Sequence, residues 1–175
     1  MRTWLIRIAT TLIVATLFHL LTVRLFPTGV MAALSLRSRD RGLRPNTFYH
    51  APRIAAGMEA VVMPSPDLLY SVCAYDVSKA PLLITAEVTE TYWSLSCFAS
   101  NTDNFFVIND RQVSSNPVEI LLVGPDRPYP DPGNARVVVS PTTRGAVLIR
   151  ILITDEAKIN DLIRIQRQAL CHSLD

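Results

Sequence analysis

Trp4 to Val23 is twenty residues of which eleven are Leu, Ile, Val or Phe. As a helix rising about 1.5 Å per residue it is roughly 30 Å long, the thickness of a bilayer's hydrocarbon core. Those eleven side chains favour insertion by on the order of 5 kcal/mol. Arg7 lies one turn from the end, so its stem can reach the head groups. His19 lies in the last third and has no second polar group with which to build a ligand set or proton relay. A buried core helix is not the expectation, because no other stretch is long and apolar enough to cover it. Arg2 and Arg7 would also suit the basic start of a signal peptide, with Ala32-Ala33 as small residues for cleavage. The apolar run is longer than such a segment needs, and Arg24 and Phe26-Pro27 separate it from Ala32. The expectation is an uncleaved anchor over residues 1–26 that contacts the lipid bilayer through residues 4–23.

Charge divides the chain at the same place. Seven Arg against one Asp leave residues 1–49 at +6, whereas eight Arg and two Lys against fourteen Asp and Glu leave residues 50–175 at −4. A basic stretch beside a membrane helix suits anionic head groups, and a mildly acidic domain does not suit nucleic acid. Orientation stays open on charge alone. Arg2, Arg7 and the α-amine favour a cytoplasmic N-terminus, while Arg24, Arg37, Arg39 and Arg41 pull the other way.

Pro27 can start a short amphipathic helix through Leu36. Residues 37–45 read as a polar linker and Asn46 to Pro52 as turn-rich, so 27–52 is expected to be a basic juxtamembrane linker. From Met58 the rhythm changes to short β-branched and aromatic runs broken by Pro, Gly, Asn and Asp. The predicted strands are Glu59–Met63, Leu69–Val77, Leu82–Val88, Thr91–Phe98, Asn104–Asn109, Val118–Val123, Arg136–Ser140 and Ala146–Ile153. Alternation assigns their faces. Leu82, Ile84, Ala86 and Val88 oppose Thr85 and Glu87. Trp93, Leu95 and Cys97 oppose Tyr92, Ser94 and Ser96, and Val147, Ile149, Ile151 and Ile153 oppose Arg150. Thr89-Glu90 is short enough for a hairpin, and Pro125–Gly133 with its four prolines reads as a stiff exposed loop. No helix intervenes between strands, which argues for antiparallel pairing. A last helix begins at Asp155-Glu156 and carries a stripe of Ile159, Leu162, Ile163 and Leu170 down to His172. The expected fold is mainly β: an antiparallel β-sandwich or jelly-roll-like domain over residues 53–175 with a C-terminal helix, behind one N-terminal transmembrane helix.

Catalytic patterns are scarce. There is no Gly-x-Ser-x-Gly elbow and no phosphate loop. Cys171-His172 are sequence neighbours that point apart on a helix, and Asp67, Asp76, Asp103 and Asp110 have no metal-ligand spacing. No cofactor and no metal is expected. The three cysteines fit buried small hydrophobes or one disulfide, in which Cys171 would clamp the chain's end to Cys73 or Cys97; Cys73 with Cys171 is the pair carried forward. The suggestive polar and aromatic set is Tyr70, Tyr75, Asp76, Tyr92, Trp93, Asn101, Asp103 and Asn104, residue types that a sugar- or small-ligand-binding face would use. The plainer alternative is that Tyr and Trp fill the core while Asn101–Asn104 is a turn capping its own backbone.

A resemblance joins these residues. Leu69-Tyr-Ser-Val-Cys-Ala-Tyr-Asp-Val-Ser-Lys-Ala-Pro81, Tyr92-Trp-Ser-Leu-Ser96, Asn101-Thr-Asp-Asn-Phe105, Gly124-Pro125 and Ser140-Pro-Thr142 resemble, in order, the motifs of the bacterial domain-of-unknown-function 1254 family over about residues 60–170. Two departures stand out. Ser65-Pro-Asp-Leu68 replaces an Asn-rich run, and Ala80 replaces a usual Gly. The resemblance implies a β-sandwich fold. Larger members join this domain to a companion 1214-type domain, which implies a separate envelope protein as partner. Short anchored members imply an inner-membrane protein whose C-terminal domain faces the periplasm, where a disulfide is at home. The function so expected is that of a single-pass cell-envelope protein acting by binding or protein interaction. The alternative is an envelope enzyme working on a small or carbohydrate-like substrate through Tyr70, Asp76 and Asp103.

Overall fold

The computed structural model describes residues 2–40, 42–54 and 64–174. The strand expected over Glu59–Met63 lies outside them. Helix α1 runs unbroken over Arg2–Asp40, 39 residues including Pro27. It is therefore about 58 Å long, and the expected break into an anchor, a short helix and a linker is corrected to one rod. Pro27 removes a single backbone donor, and the Leu, Met and Ala that follow are good helix formers. Within the rod the Thr10 and Thr22 hydroxyls donate to the Ile6 and Phe18 carbonyls at 2.9 Å, so neither needs water. The Arg7 guanidinium lies over the Trp4 ring at 5.7 Å.

The described strands form two sheets. One is antiparallel throughout, in the order β1 (Phe48–His50), β2 (Leu68–Asp76), β8 (Arg144–Leu152), β4 (Trp93–Ala99), β5 (Asn104–Asn109). The other has the order β7 (Arg136–Val139), β6 (Val118–Val123), β3 (Leu82–Ala86), β9 (Leu170–Ser173). Residues from both feed a single core: Leu69, Tyr75, Trp93, Leu95, Ile149 and Ile151 from the first, Leu82, Ile84, Ile120, Leu122 and Val138 from the second. The alternation read from sequence selects these inward faces. Ser94 and Ser96 do sit on the opposite face of β4, yet both are only 1 % exposed. Their cross-strand neighbours Arg150 and Leu148 on β8, Asn109 and Val107 on β5, are longer and shelter them. At the β5 edge, Gln112 accepts from the Asn109 N–H and donates its own N–H to the Asn109 carbonyl, closing part of the open ladder.

Four expectations change. Thr89-Glu90 is not a hairpin, because β3 and β4 belong to different sheets. The strands end at Ala86 and restart at Trp93, and the connection is pinned between sheets. The Asn116 side chain takes the place of a strand neighbour for Val88, and the Thr91 hydroxyl donates to the Leu152 carbonyl. Second, β6 and β7 pair in parallel, the Pro-rich loop carrying the chain back without a helix. Third, β1 pairs with β2 inside what reads as linker, burying Phe48. The Asn46 amide brackets it, accepting from Asp76 N–H at 2.7 Å and donating to Asp76 O at 3.0 Å. The folded domain thus begins near Asn46. Fourth, the last helix α2 spans only Ile159–Gln168, after a turn capped by the Asp155 carboxylate. Ala169 is extended, and Leu170–Ser173 becomes β9 beside β3, with Cys171 inward and Leu170 and His172 outward. A disulfide joins Cys73 of β2 to Cys171 of β9, tying the two sheets together across a sequence separation of 98. Cys97 is a buried free thiol.

Candidate functional site

Strand register decides which of the suggestive residues meet. Tyr70 pairs with Arg150, and Trp93 with Ile151, near one end of β8. Tyr75 pairs with Gly145, Asp76 with Arg144, and Ala99 with Gly145 at the other end. Six residues of strand separate those ends, about 20 Å. Tyr75, Asp76 and the turn Asn101–Asn104 therefore gather at one end, and Tyr70, Tyr92 and Trp93 at the opposite one. Tyr70, Asp76 and Asp103 do not share a pocket, which removes the geometry the enzymatic alternative requires. Trp93 is 0 % exposed in the core. The Tyr70 hydroxyl accepts from Ser65 N–H. Asn101 donates to the Asp103 carboxylate and accepts from the Asp103 N–H, a turn closing on itself.

The gathered end is a clasp between the sheets. The buried Tyr75 hydroxyl meets Ser140 Oγ at 2.8 Å, and Ser140 Oγ donates to the Thr142 carbonyl. Thr142 Oγ1 accepts from Ser100 N–H and donates to the Arg144 carbonyl. Val77 N–H reaches the Thr143 carbonyl, and Ser140 N–H reaches the Val123 carbonyl. Two glycines permit the approach. A Cβ on Gly145 would run into the Phe98 carbonyl and the Tyr75 hydroxyl, and one on Gly124 would stand 3.0 Å from the Val77 carbonyl. Burial pushes the Tyr75 phenol above its ordinary pKa. Burial also acts to raise Asp76, but hydrogen bonds from Ser78 and the Arg144 guanidinium outweigh it and hold the carboxyl below its usual range. Tyr75-Asp76, Asn101–Phe105, Gly124-Pro125 and Ser140–Thr142 all meet here. Their polar groups mostly serve one another, so the arrangement stiffens the fold more readily than it receives a ligand.

The opposite end holds a cleft of about 190 Å³ between the segment after β1 and α2, lined by His50, Pro52, Arg53, Ile163, Gln166 and Arg167 among others. Gln166, 4 % exposed, donates to the Ala51 and Tyr70 carbonyls and so ties α2 to the edge of the first sheet where β1 ends. His50 Nδ1 is 2.9 Å from Ser71 Oγ. Burial, then the nearby Arg167 charge, lower the imidazole pKa. Arg53 forms a two-pronged ion pair with Glu156 at 2.6 and 2.7 Å. Sequence reasoning placed His50 in a linker and missed this cleft. Its walls are 115 residues apart in the chain, and a three-residue strand has too little alternation to register. Among the described residues no group of three His, Cys, Asp or Glu could hold a metal ion.

Fold and geometry thus define a mainly β domain of two sheets with a C-terminal helix, behind a long apolar N-terminal helix. The chain belongs to the family described as "Protein of unknown function (DUF1254)", whose model matches residues 45–173; the match opens at Pro45, beside the Asn46 bracket. The crystal structure of the VPA0106 protein from Vibrio parahaemolyticus is similar, with a TM-score of 0.68 at 14 % identity, over 85 % of this chain and 35 % of that one. A putative uncharacterized protein from Burkholderia cenocepacia gives a TM-score of 0.47 at 18 % identity, over 74 % and 34 % of the two chains. The chain thus spans about a third of the length of each. A search of the curated proteins finds no match.

Proposed function

We propose that this chain is a single-pass protein of the bacterial inner membrane whose β domain, a sandwich of its two sheets, lies in the periplasm and acts by binding. The observation that carries the reading is α1. Its span over Arg2–Arg37 is long and apolar enough to cross a membrane, and 0 % of the apolar window is buried. Twelve large apolar side chains between Trp4 and Val23 are more than half exposed. Leaving them in water forfeits on the order of 15 kcal/mol, taking half to two-thirds of a full burial for each. That is as large as the whole net stability of a domain of this size, so lipid is their natural solvent. The Trp4–Arg7 pair suits an interfacial position, and the self-satisfied Thr10 and Thr22 hydroxyls suit hydrocarbon.

The Cys73–Cys171 disulfide favours an oxidising compartment for the domain. The partner proposed with this reading is a separate envelope protein carrying the companion 1214-type domain. A reporter fused after Asp175 tests the orientation. Activity of a periplasm-dependent reporter supports it, and activity of only a cytoplasm-dependent one refutes it. Co-purification from native membranes identifies the partner.

A further inference from the structure

We propose that the cleft between the segment after β1 and α2 binds a compact oxyanion, a phosphate or carboxylate group, gripped by the Arg167 guanidinium with the His50 imidazole as second donor. This goes beyond membrane anchoring and holds or fails independently of it. Of the two arginines lining the cleft, Arg53 is already committed to Glu156. Arg167 has no ion pair among the described residues, yet it lies close enough to His50 to act on its charge. A guanidinium in this position offers a planar fork that matches the two oxygens of a carboxylate or phosphate. His50 is held by Ser71 through Nδ1, leaving Nε2 as its free nitrogen. The floor is rigid, because Gln166 is nearly buried and fixed to both the Ala51 and Tyr70 carbonyls. Pro52 and the half-buried Ile163 supply apolar wall beside the exposed Arg167. A cleft of about 190 Å³ has the volume of roughly six waters, room for one such group and little more. The charge acting on the imidazole is Arg167 on α2; Arg53, which also lines the cleft, is paired with Glu156 and lies within the field of Asp67.

The test is a titration of the full-length protein in detergent micelles, read by NMR of the histidine rings, with the His50 signal assigned through His50→Gln. Sodium phosphate and sodium acetate are added separately and compared with sodium chloride at matched ionic strength. The His50 resonances should move saturably with phosphate or acetate and not with chloride, and the ring pKa should rise as bound anion offsets Arg167. Arg167→Gln should weaken the response about tenfold or more. Arg167→Lys keeps the charge without the fork and should lie between, while exposed Lys79→Gln should change nothing. A stronger response to phosphate assigns a phosphate-bearing ligand and a stronger one to acetate a carboxylate. A His50 signal indifferent to both anions, an equal effect of chloride, or equal losses in Arg167→Gln and Lys79→Gln overturns the proposal.

Discussion

Breaking the Cys73–Cys171 link should cost the domain a large part of its stability without unfolding it. The bond closes a loop across a sequence separation of 98, and a loop of that length restricts the unfolded chain by about 4.7 kcal/mol in the entropic account. What remains after removal is still substantial. β9 keeps its ladder with β3 from Leu82–Ser173 to Thr85–Leu170, and Leu174 N–H still reaches the Pro81 carbonyl. The double variant Cys73→Ala, Cys171→Ala should therefore lose about 4 kcal/mol, which at a slope of about 2 kcal/mol per molar urea moves the midpoint down by about 2 M. Equilibrium urea unfolding followed by tryptophan fluorescence reads this directly. In a Trp4→Phe background, the wholly buried Trp93 is the sole tryptophan and loses its apolar surroundings on unfolding. Midpoints that coincide would refute the reasoning, since the bond would then constrain nothing the ladder had not already fixed.

Burial pushes the Cys97 thiol up to about 12, so it should stay unmodified by iodoacetamide near pH 8 until the domain unfolds, as mass spectrometry can check. Gly145→Ala forces a methyl group between the Phe98 carbonyl and the Tyr75 hydroxyl; a loss of about 3 kcal/mol in the same urea assay is expected, with the Tyr75–Ser140 hydrogen bond the first to break. Asp76 has a pKa in the fold below its reference value of 3.8. Its contribution is therefore present above pH 3.8 and fades as pH falls through the lower folded-state value. Asp76→Asn should cost about 1 kcal/mol at pH 7, and its unfolding midpoint should converge on the parent's in acid.

Long alternating strands were legible because each buries one face. Leu82, Ile84 and Ala86, or Val147, Ile149 and Ile151, announce both the element and its inward side. Two of the shortest strands, β1 and β9, were not. β1 and β9 are too short to show a period, and each exists because a neighbouring strand, β2 or β3, supplies a ladder. Thr89-Glu90 misleads for a related reason, since a short polar gap looks the same whether the chain turns back or crosses to another sheet. Pro27 reads as a boundary on local propensity, yet one missing donor is outweighed by the helix formers around it. The family-like motifs were visible as residues but not as a role. Tyr75 and Asp76 read as ligand chemistry until the structure shows Tyr75 bonded to Ser140 and Asp76 to Ser78 and Arg144. His50 and Arg167 carry no mutual signal at all, because only packing of α2 against the sheet edge brings them together.

The central claim is that α1 is dissolved in lipid and tethers a domain that folds without it. Alkaline carbonate extraction of membranes tests this most directly, comparing the full chain with one in which a cleavable export signal replaces residues 1–45. The account predicts that the full chain stays in the membrane pellet and that the shortened chain is released as a folded, disulfide-bonded domain. A full chain that washes into the supernatant, or a shortened one that cannot fold, would contradict it.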